Sequence, residues 1–473
     1  MSQFGRRAAL IAVTLFGSGC ALHEVRHTPP ALPAAFDGRP GSGDASWPST
    51  HWYEEFGSTE LQTLISLASS SNLDLAMARA RVTQADARAR QAGAAILPSV
   101  DAGGNANYLA GHSTSGSAHE TDWAALLSAS YEVDFWGKNR ATARSASRLA
   151  DAARADRDTV VLTMLAGVAN GYFEVLSLRE RLELARSNLV AAQKLLDVVQ
   201  ARFNVGLSNP VELASQKAAF AAAGLVVPEL ERQEAEALAA LALLLGRAPE
   251  NFVVEGRALD ALLEPKIGSG LPSELLTRRP DIFVAESNML AADADSVAAR
   301  AALFPSLSLT AAGGVQNPAL NAAVISLSGA GPTLNLGASI TQTIFDHGRL
   351  KALRTEAQAK DEELIAAYRA AILSALVDVE KALSTISRLD DARALQSESV
   401  EQSERAFEGA SFRYKAGSGD FLTVLEAQRT LYAAREQFSQ YKLARFQALV
   451  ALCKALGGGW QAQGSENSTK ETR

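Results

Sequence analysis

The sequence contains one short motif twice, and each copy has the features of a turn between two helices. In the second copy a run of helix-forming residues ends at Gly417, a short polar turn follows, and Asp420 precedes a new helical run. In the first copy Gly206 and Asn209 hold the same two places at one constant offset along the chain. Glycine ends helices because it adopts positive φ freely, and Asn or Asp caps the next helix through its side-chain oxygen. The sequence therefore predicts two helical hairpins, with one motif at the tip of each.

The duplication extends upstream of the tips. A stretch of the form Ala-Ala-x-x-Pro-Ser ends at Ser99 in the first half and at Ser306 in the second. An Asp-Gly turn follows in each half and begins at Asp134 or at Asp346. The same order of features in both halves indicates a tandem duplication and not two unrelated domains. We predict two structural repeats of roughly 210 residues each, over residues 51–262 and 263–460.

Between the Pro-Ser step and the Asp-Gly turn of each half, apolar and polar residues alternate with the period of a β-strand. From Trp123 to Phe135 every second residue is apolar, and the residues between them include Ser128, Glu132 and Asp134. Segments of about 10 residues with one apolar face and aromatic ends are typical of strands that cross a bilayer at a tilt. We predict two such strands in each repeat, over about residues 99–110, 122–135, 305–316 and 332–345.

Each Asp-Gly turn leads into a very long helical pattern. Lys138 to Asn204 contains no proline and two glycines, and Arg349 to Ala416 contains no proline and one glycine. A helix of that length extends for about 100 Å at 1.5 Å per residue, which makes it a wall or a spacer and not part of a compact core. Together with the helices that return from the tips, we predict two helical hairpins, over about residues 138–246 and 347–456.

Composition limits the possible functions. The net charge of −7 provides no basic surface, so we expect no nucleic-acid partner. After the N-terminal stretch no run of about 18 apolar residues occurs, so we expect no membrane-spanning helix. Four membrane strands cannot close on themselves, and an open sheet edge cannot face lipid, so the chain must assemble with copies of itself.

Residues 1–19 have the pattern of a secretory signal peptide, with Arg6 and Arg7, an apolar stretch and a run of small residues. Cys20 follows directly, which resembles a bacterial lipoprotein signal and predicts a lipid on its sulfur, although Gly17 stands where leucine is usual. The alternative is an ordinary cleaved signal with an incidental cysteine. Outside the repeats we predict a lipid-anchored linker and a disordered tail, over residues 20–50 and 461–473.

Several motifs in combination resemble the TolC-like outer-membrane factors, and among them the NodT-type lipoproteins of tripartite drug efflux pumps. Besides the two tips, the motifs are Trp52-Tyr-Glu-Glu-Phe56, Asn72-Leu-Asp-Leu75, Thr277-Arg-Arg-Pro-Asp281, Ala301-Ala-Leu-Phe-Pro-Ser306 and Ile344-Phe-Asp346. The resemblance implies a mixed, mainly α-helical protomer that forms a homotrimer. Its strands would form a twelve-stranded outer-membrane β-barrel continuous with a long periplasmic α-helical barrel.

The resemblance also implies a function and partners. The chain would be a passive exit duct for small compounds such as drugs, lipid-anchored in the bacterial outer membrane and extending into the periplasm. A periplasmic adaptor protein and an inner-membrane exporter would be its partners. The alternatives are the outer-membrane channel of a type I protein secretion system and, less closely, a periplasmic adaptor or scaffold protein.

The resemblance places a periplasmic gate and adaptor contacts at the tips. The gate residues carried over by position are Arg413, Tyr414, Leu422 and Glu426. Leu422 would form an apolar plug, and Glu426 would form a ring of carboxylates that favours cations. The alternatives are a Glu426 that only stabilises the positive end of its helix, and an Arg413 and Tyr414 that are simple ties within the hairpin. The adaptor contacts would be Gly206, Leu207, Ser208, Gly417, Ser418 and Gly419, although both turn glycines are explained first by the turn itself.

Residues 23–27 match the zinc-protease pattern His-Glu-x-x-His, which requires a helix that holds both histidines on one face. Here the match runs into Pro29 and Pro30, where no stable helix is expected. The sequence also has no phosphate-binding loop and no other catalytic constellation. We therefore expect no enzyme activity, no metal and no cofactor apart from the covalent lipid on Cys20.

Overall fold

The computed structural model describes residues 32–37, 47–113, 116–268, 270–320 and 331–461. The protein is mainly helical and has one four-stranded sheet in these ranges. The signal peptide, the Cys20 anchor and the tail predicted from the sequence lie outside them, apart from residue 461. The chain divides into two compact units, and each unit draws on both sequence repeats. The first unit contains Ala85–Asp151 and Glu286–Ala367, and the second contains Pro30–Gln84, Ala152–Ala285 and Tyr368–Arg473.

Six of the eight α-helices in the described ranges form three pairs of equal length, with one member of each pair from each repeat. In chain order the eight helices are α1 (Thr59–Ser71), α2 (Leu73–Ala94), α3 (Lys138–Asn204), α4 (Pro210–Leu244), α5 (Leu275–Arg278), α6 (Pro280–Ala301), α7 (Arg349–Lys415) and α8 (Phe421–Ala455). Helices α3 and α7 have 67 residues each, α4 and α8 have 35 each, and α2 and α6 have 22 each. Equal lengths at corresponding places are what a tandem duplication predicts. The long helices and their returning partners are confirmed.

One window of α3 bears on the expectation that the chain has no membrane-spanning helix, without overturning it. An 18-residue window of this helix has a mean hydropathy of 1.4, which makes it long and apolar enough to cross a membrane by length and composition. Half of that window is buried inside the protein. A core helix that does not cross a membrane can be equally long and apolar. Polar residues interrupt this window, so it is not the uninterrupted apolar run that is absent from the sequence.

The four strands form one antiparallel sheet in chain order. They are β1 (Ser99–Ser113), β2 (Gly116–Val133), β3 (Ser306–Leu320) and β4 (Gly331–Thr341), and each pairs with the next. The four strands lie where the sequence predicts them, but their bounds differ: β1 and β3 end later than expected, β2 begins and ends earlier, and β4 ends earlier. Among the described strands, β1 and β4 each have only one neighbour, so both outer edges of the sheet are unpaired within one chain.

The strand register brings the apolar residues together on one face of the sheet. Leu127 lies opposite Ala102 and Gly313, and Gly313 lies opposite Leu334. The large apolar side chains of this face are exposed in the protomer: Val100, Tyr108, Leu127, Leu309, Leu334, Leu336 and Ile340. The opposite face places Asp101 beside Ser128 and carries the polar residues of all four strands. An exposed apolar face with a polar back is the pattern of membrane-barrel strands, as the sequence predicts.

At the end of the sheet nearest the helices, the Asp-Gly turns start the two long helices in the same way. Asp134 accepts hydrogen bonds from the N–H groups of Asn139 (3.1 Å) and Arg140 (2.8 Å). Asp346 likewise accepts hydrogen bonds from two N–H groups at the start of α7, at 3.0 and 2.9 Å. Burial alone would raise the pKa of Asp134, but the hydrogen bonds from the two N–H groups and the Arg140 side chain lower it on balance. Both acids therefore act as helix caps.

The second unit has an aromatic core and one buried arginine that joins its helices. The ring of Phe173 lies 5.0 Å from that of Phe56 and 5.2 Å from that of Phe446. Arg279 is 8% exposed, and its guanidinium pairs with Asp281 (2.6 Å) and with Asp378 (3.1 Å). The same guanidinium donates a hydrogen bond to the backbone carbonyl of residue 455 at 2.9 Å. Arg279 thus fixes the start of α6 to the end of α8.

Candidate functional site

The two hairpin tips close with the same backbone geometry. Gly206 and Gly417 both have a φ of 76°. In each tip the glycine N–H donates to the carbonyl three residues earlier, at 3.0 Å, and the next N–H donates to the carbonyl five residues earlier. These second donors are Leu207 (2.8 Å) and Ser418 (2.9 Å). This pair of hydrogen bonds is the Schellman motif, which requires positive φ at the glycine. The turn role of both glycines is confirmed.

Each tip is followed by a capped helix. The side-chain oxygen of Asn209 accepts a hydrogen bond from the N–H of Glu212 at 2.9 Å. In the second tip Asp420 accepts one from the N–H of Thr423, also at 2.9 Å, and one from its hydroxyl at 2.6 Å. The hydroxyl and the N–H of Thr423 hold the pKa of Asp420 below its ordinary value. The two caps predicted from the sequence are confirmed.

Tyr414 lies in an apolar cluster built by both hairpins. Tyr414 is 2% exposed, and the centroid of its ring lies 5.9 Å from that of the Phe421 ring. The buried members of the cluster come from α3, α4, α7 and α8: Leu195, Val199, Leu213, Tyr414, Phe421, Val424 and Leu425. Burial raises the pKa of the Tyr414 hydroxyl. Tyr414 therefore holds the two hairpins to each other within one chain.

Two residues of the first hairpin complete this contact, and the sequence interpretation missed both. The guanidinium carbon of Arg202 lies 4.6 Å from the centroid of the Tyr414 ring, and Nη1 donates to the Tyr414 carbonyl at 3.1 Å. The Tyr414 hydroxyl donates to Oε2 of Glu212 at 3.3 Å, and the Ser208 hydroxyl donates to the same oxygen at 2.5 Å. One signal for Arg202 was present in the sequence, because it holds the place in the first tip that Arg413 holds in the second. Glu212 gave no comparable signal.

The other predicted gate residues are exposed at the second tip. Leu422 is 71% exposed, and Glu426 is exposed on the same helix. Both line a groove of 760 Å³ between α7 and α8, with Ser403 on its opposite wall. Arg413 is exposed, and its side chain makes no hydrogen bond or ion pair with another residue in the described ranges. The structure thus brings Leu422 and Glu426 to one groove and places Tyr414 in the core beside it. The gate roles of these residues stay predictions.

The tips expose apolar side chains around their polar turns. Leu207 is 66% exposed, Val211 is 72% exposed and Phe412 is 75% exposed. Gly419 donates to the carbonyl of Arg413 at 3.1 Å, and a side chain at Gly419 would approach the Arg413 Cβ to 3.0 Å. Exposed apolar groups on an otherwise polar turn are suited to contact with another protein. The adaptor contacts at the tips stay predictions.

No group of three or more His, Cys, Asp or Glu side chains in the described part of the chain could hold a metal ion. His23 and His27 lie outside that part. Cys453 is 1% exposed, and burial raises the pKa of its thiol, so it is a packed core residue.

The comparison with known families follows the sequence repeat. The family model described as "Outer membrane efflux protein" matches residues 64–247 and, in a second segment, residues 271–458. The chain belongs to the outer membrane efflux protein family. The protein is therefore a transport channel of the outer membrane and not an enzyme. The two matched segments fall within the two repeats that the tip motifs predicted.

Relatives in this family cover almost the whole chain. The pyoverdine export outer membrane protein OpmQ of Pseudomonas aeruginosa is 45% identical over 431 residues, which is 89% of this chain and 90% of that protein. The cation efflux system protein CusC of Escherichia coli is 31% identical over 417 residues, 87% of this chain and 88% of that protein. The solved structure of the outer-membrane channel OprN has a TM-score of 0.86 at 27% identity and covers 93% of this chain and all of that one.

Proposed function

We propose that three copies of this outer membrane efflux protein form the exit duct of a tripartite pump that exports small compounds. The observation that carries the proposal is the sheet with an exposed apolar face and two unpaired edges. An open sheet edge cannot face lipid, because nothing in the hydrocarbon can satisfy its N–H and C=O groups. Four strands are also fewer than the roughly eight that the smallest barrels need. In a ring of three chains, β4 of one chain would pair with β1 of the next and close a barrel of twelve strands.

The long helices support the periplasmic part of the proposal. Helices α3 and α7 begin within eight residues of the ends of β2 and β4 and are too long for a compact domain. They would form an α-helical barrel below the membrane, where the tips contact a periplasmic adaptor protein and, through it, an inner-membrane exporter. The tip residues in this contact would be Gly206, Leu207, Ser208, Gly417, Ser418 and Gly419. A lipid on Cys20 would add a second attachment to the outer membrane.

The gate would lie at the second tip. Leu422 and Glu426 line one groove at this tip, and we propose that in a threefold ring their copies approach a common axis. Leu422 would close the duct by apolar contact, and the Glu426 ring would favour cations. The contact of Tyr414 with Arg202 and Glu212 would hold the hairpins closed, and Arg413 would form a further tie.

Two relatives indicate which cargo to test first. The two OpmQ proteins, at 45% and 43% identity, are named for pyoverdine export. We propose pyoverdine as a cargo of this chain. The test expresses this chain in a Pseudomonas strain that lacks its own OpmQ and measures pyoverdine in the medium and in the periplasm. Restored secretion supports the proposal.

A matched variant separates transport from folding in this test. Gly206→Val would strain the positive-φ position of the first tip while leaving the sheet unchanged. We expect this variant to reach the outer membrane and to secrete less pyoverdine. If the wild-type chain is inserted as a trimer and pyoverdine still stays in the periplasm, pyoverdine is not its cargo.

A further inference from the structure

The end of the sheet nearest the helices has a row of exposed, large apolar side chains. At least one lies at the end of every strand: Leu97, Phe135, Trp136, Phe304, Ile344 and Phe345. Trp136 stacks on Phe304 with a centroid distance of 4.6 Å, and its indole N–H donates to the carbonyl of Pro305 at 2.8 Å. These contacts join the segment that follows β2 to the segment that precedes β3 at this end of the sheet. We call this set the apolar row.

Basic residues follow the apolar row at the start of both long helices. Helix α3 begins Lys138-Asn-Arg-Ala-Thr-Ala-Arg144, and α7 begins Arg349-Leu-Lys-Ala-Leu-Arg354. Each stretch has three basic residues, and neither helix has an acidic residue in its first turn. Helix N-termini favour acidic residues, because the helix dipole places partial positive charge there. Both repeats therefore carry basic residues where the helix itself disfavours them.

Part of this positive charge is not neutralised within the chain. Arg140 pairs with Asp134 at 3.1 Å, and Arg349 lies 4.0 Å from Asp346. The side chains of three further basic residues are exposed and make no hydrogen bond or ion pair with any residue that the structure describes. We call these three residues the basic row: Arg300 in the last turn of α6, and Lys351 and Arg354 near the start of α7.

We propose that this end of the sheet binds the headgroups of anionic glycerophospholipids. The proposal rests on the proposed insertion of the sheet in the outer membrane and names the lipid that adjoins it. The apolar row would lie at the boundary between acyl chains and headgroups, where aromatic side chains concentrate. The basic row would lie beyond it, at the level of the lipid phosphates. Attraction to a negatively charged headgroup layer would offset the unfavourable position of Lys351 in the first turn of α7.

Tryptophan fluorescence provides a direct test, because Trp136 belongs to the apolar row. The full-length protein is reconstituted in phosphatidylcholine vesicles that contain increasing amounts of brominated phosphatidylglycerol, which quenches nearby tryptophan. Brominated phosphatidylcholine is the reference lipid. The same measurement on Trp136→Phe gives the background from the other tryptophans. We expect the Trp136 signal to report a severalfold preference for phosphatidylglycerol over phosphatidylcholine.

Two sets of variants locate the preference. The triple variant Arg300→Gln, Lys351→Gln, Arg354→Gln removes the basic row, and we expect it to lower the preference to near one, since each basic residue changes affinity for an anionic surface by roughly fivefold at most. The matched control Lys194→Gln, Lys217→Gln, Arg247→Gln removes the same charge from exposed positions in the second unit. We expect the control to keep the wild-type preference. A triple variant that also keeps it overturns the proposal.

A charge reversal separates lipid binding from a structural role. Lys351→Glu with Arg354→Glu reverses both charges of the basic row on α7 and places one acidic residue in the first turn, where the helix dipole favours it. In non-ionic detergent we expect this variant to unfold at the same temperature as the wild type or higher, while its preference for phosphatidylglycerol is lost. A lower unfolding temperature in detergent with an unchanged lipid preference would contradict the inference and indicate a structural role.

The outcomes distinguish this inference from the proposed function. If no brominated lipid quenches any tryptophan, the sheet is not in the bilayer, and both proposals fail. If both lipids quench Trp136 equally, the sheet is inserted and only the lipid inference fails. Inorganic phosphate at millimolar concentration should not displace the lipid, and displacement would indicate a site for free phosphate in place of a membrane surface.

Discussion

Replacement of Arg202 by methionine should loosen the contact between the two hairpins. The change removes the Nη1 hydrogen bond to the Tyr414 carbonyl and the guanidinium over the Tyr414 ring. A hydrogen bond from a charged group contributes about 1.5–3 kcal/mol, and a cation–π contact about 0.5–2 kcal/mol. The buried Nε of Arg202 has no hydrogen-bond partner among the described residues, so its removal offsets part of the loss. We therefore expect a net loss of about 2 kcal/mol, at the lower end of the combined range.

A loss of that size shifts the balance between the closed and loosened arrangements by about 30-fold in each chain. In planar-bilayer recordings of the purified protein, this shift should appear as a larger conductance or a larger open fraction. The control is Lys217→Met, which removes an exposed charge from α4. Tyr414→Phe keeps the ring and loses only the 3.3 Å hydrogen bond to Glu212, so its effect should be smaller than that of Arg202→Met. Equal conductance and open fraction in Arg202→Met and wild type would refute the argument that this contact holds the gate.

Four further predictions test other parts of the protein. Glu426→Ala should lower cation selectivity in the same recordings, and an unchanged reversal potential would leave Glu426 with only its helix-terminus role. Cys20→Ser should lose a metabolically incorporated palmitate label that the wild type carries, and absence of label in both would contradict lipidation. Native mass spectrometry in detergent should find trimers, and monomers or dimers alone would contradict the ring. Burial alone would raise the pKa of Asp281, but its contacts with Arg279 lower it, so its ionised form stabilises the fold above the ordinary value of 3.8 and this contribution is lost as pH falls through the lowered pKa. Because the carboxylate is partly exposed, Asp281→Asn should lower the free energy of unfolding at pH 7 by about 1 kcal/mol. The variant should also lose less stability than the wild type between pH 7 and a pH below 3.8, as measured by urea denaturation at the two pH values.

The sequence predicted the elements that local rules determine. Alternation of period two fixed which strand residues share a face, because a shift by one residue would turn every side chain to the other face. The register that places Leu127 beside Ala102 and Gly313 confirms that face. The tips were equally predictable, because a glycine with positive φ and an Asn or Asp cap are decided by the residues themselves.

The contacts between the hairpins were not predictable in the same way. The hydrogen bond from Arg202 to the Tyr414 carbonyl joins residues that are 212 positions apart. No periodicity relates two such positions, and only the packing of α3 against α7 brings them together. The family resemblance singled out Tyr414 because it matches one tip of the chain at a time. A match within one tip contains no information about Arg202 and Glu212, which lie in the other hairpin.

The tandem repeat shows why the missed arginine and the predicted one have different surroundings. Arg202 and Arg413 hold equal places in the two tips, but Arg202 faces the ring of Tyr414, whereas Arg413 has no polar partner for its side chain among the described residues. Within one chain, only the first tip places its arginine against the tyrosine of the other tip. In a closed ring of three chains the second tip would meet the first hairpin of the next chain, which offers Arg413 a neighbour. The proposed ring of three chains would therefore give Arg413 a neighbour and would also pair the edges of β1 and β4.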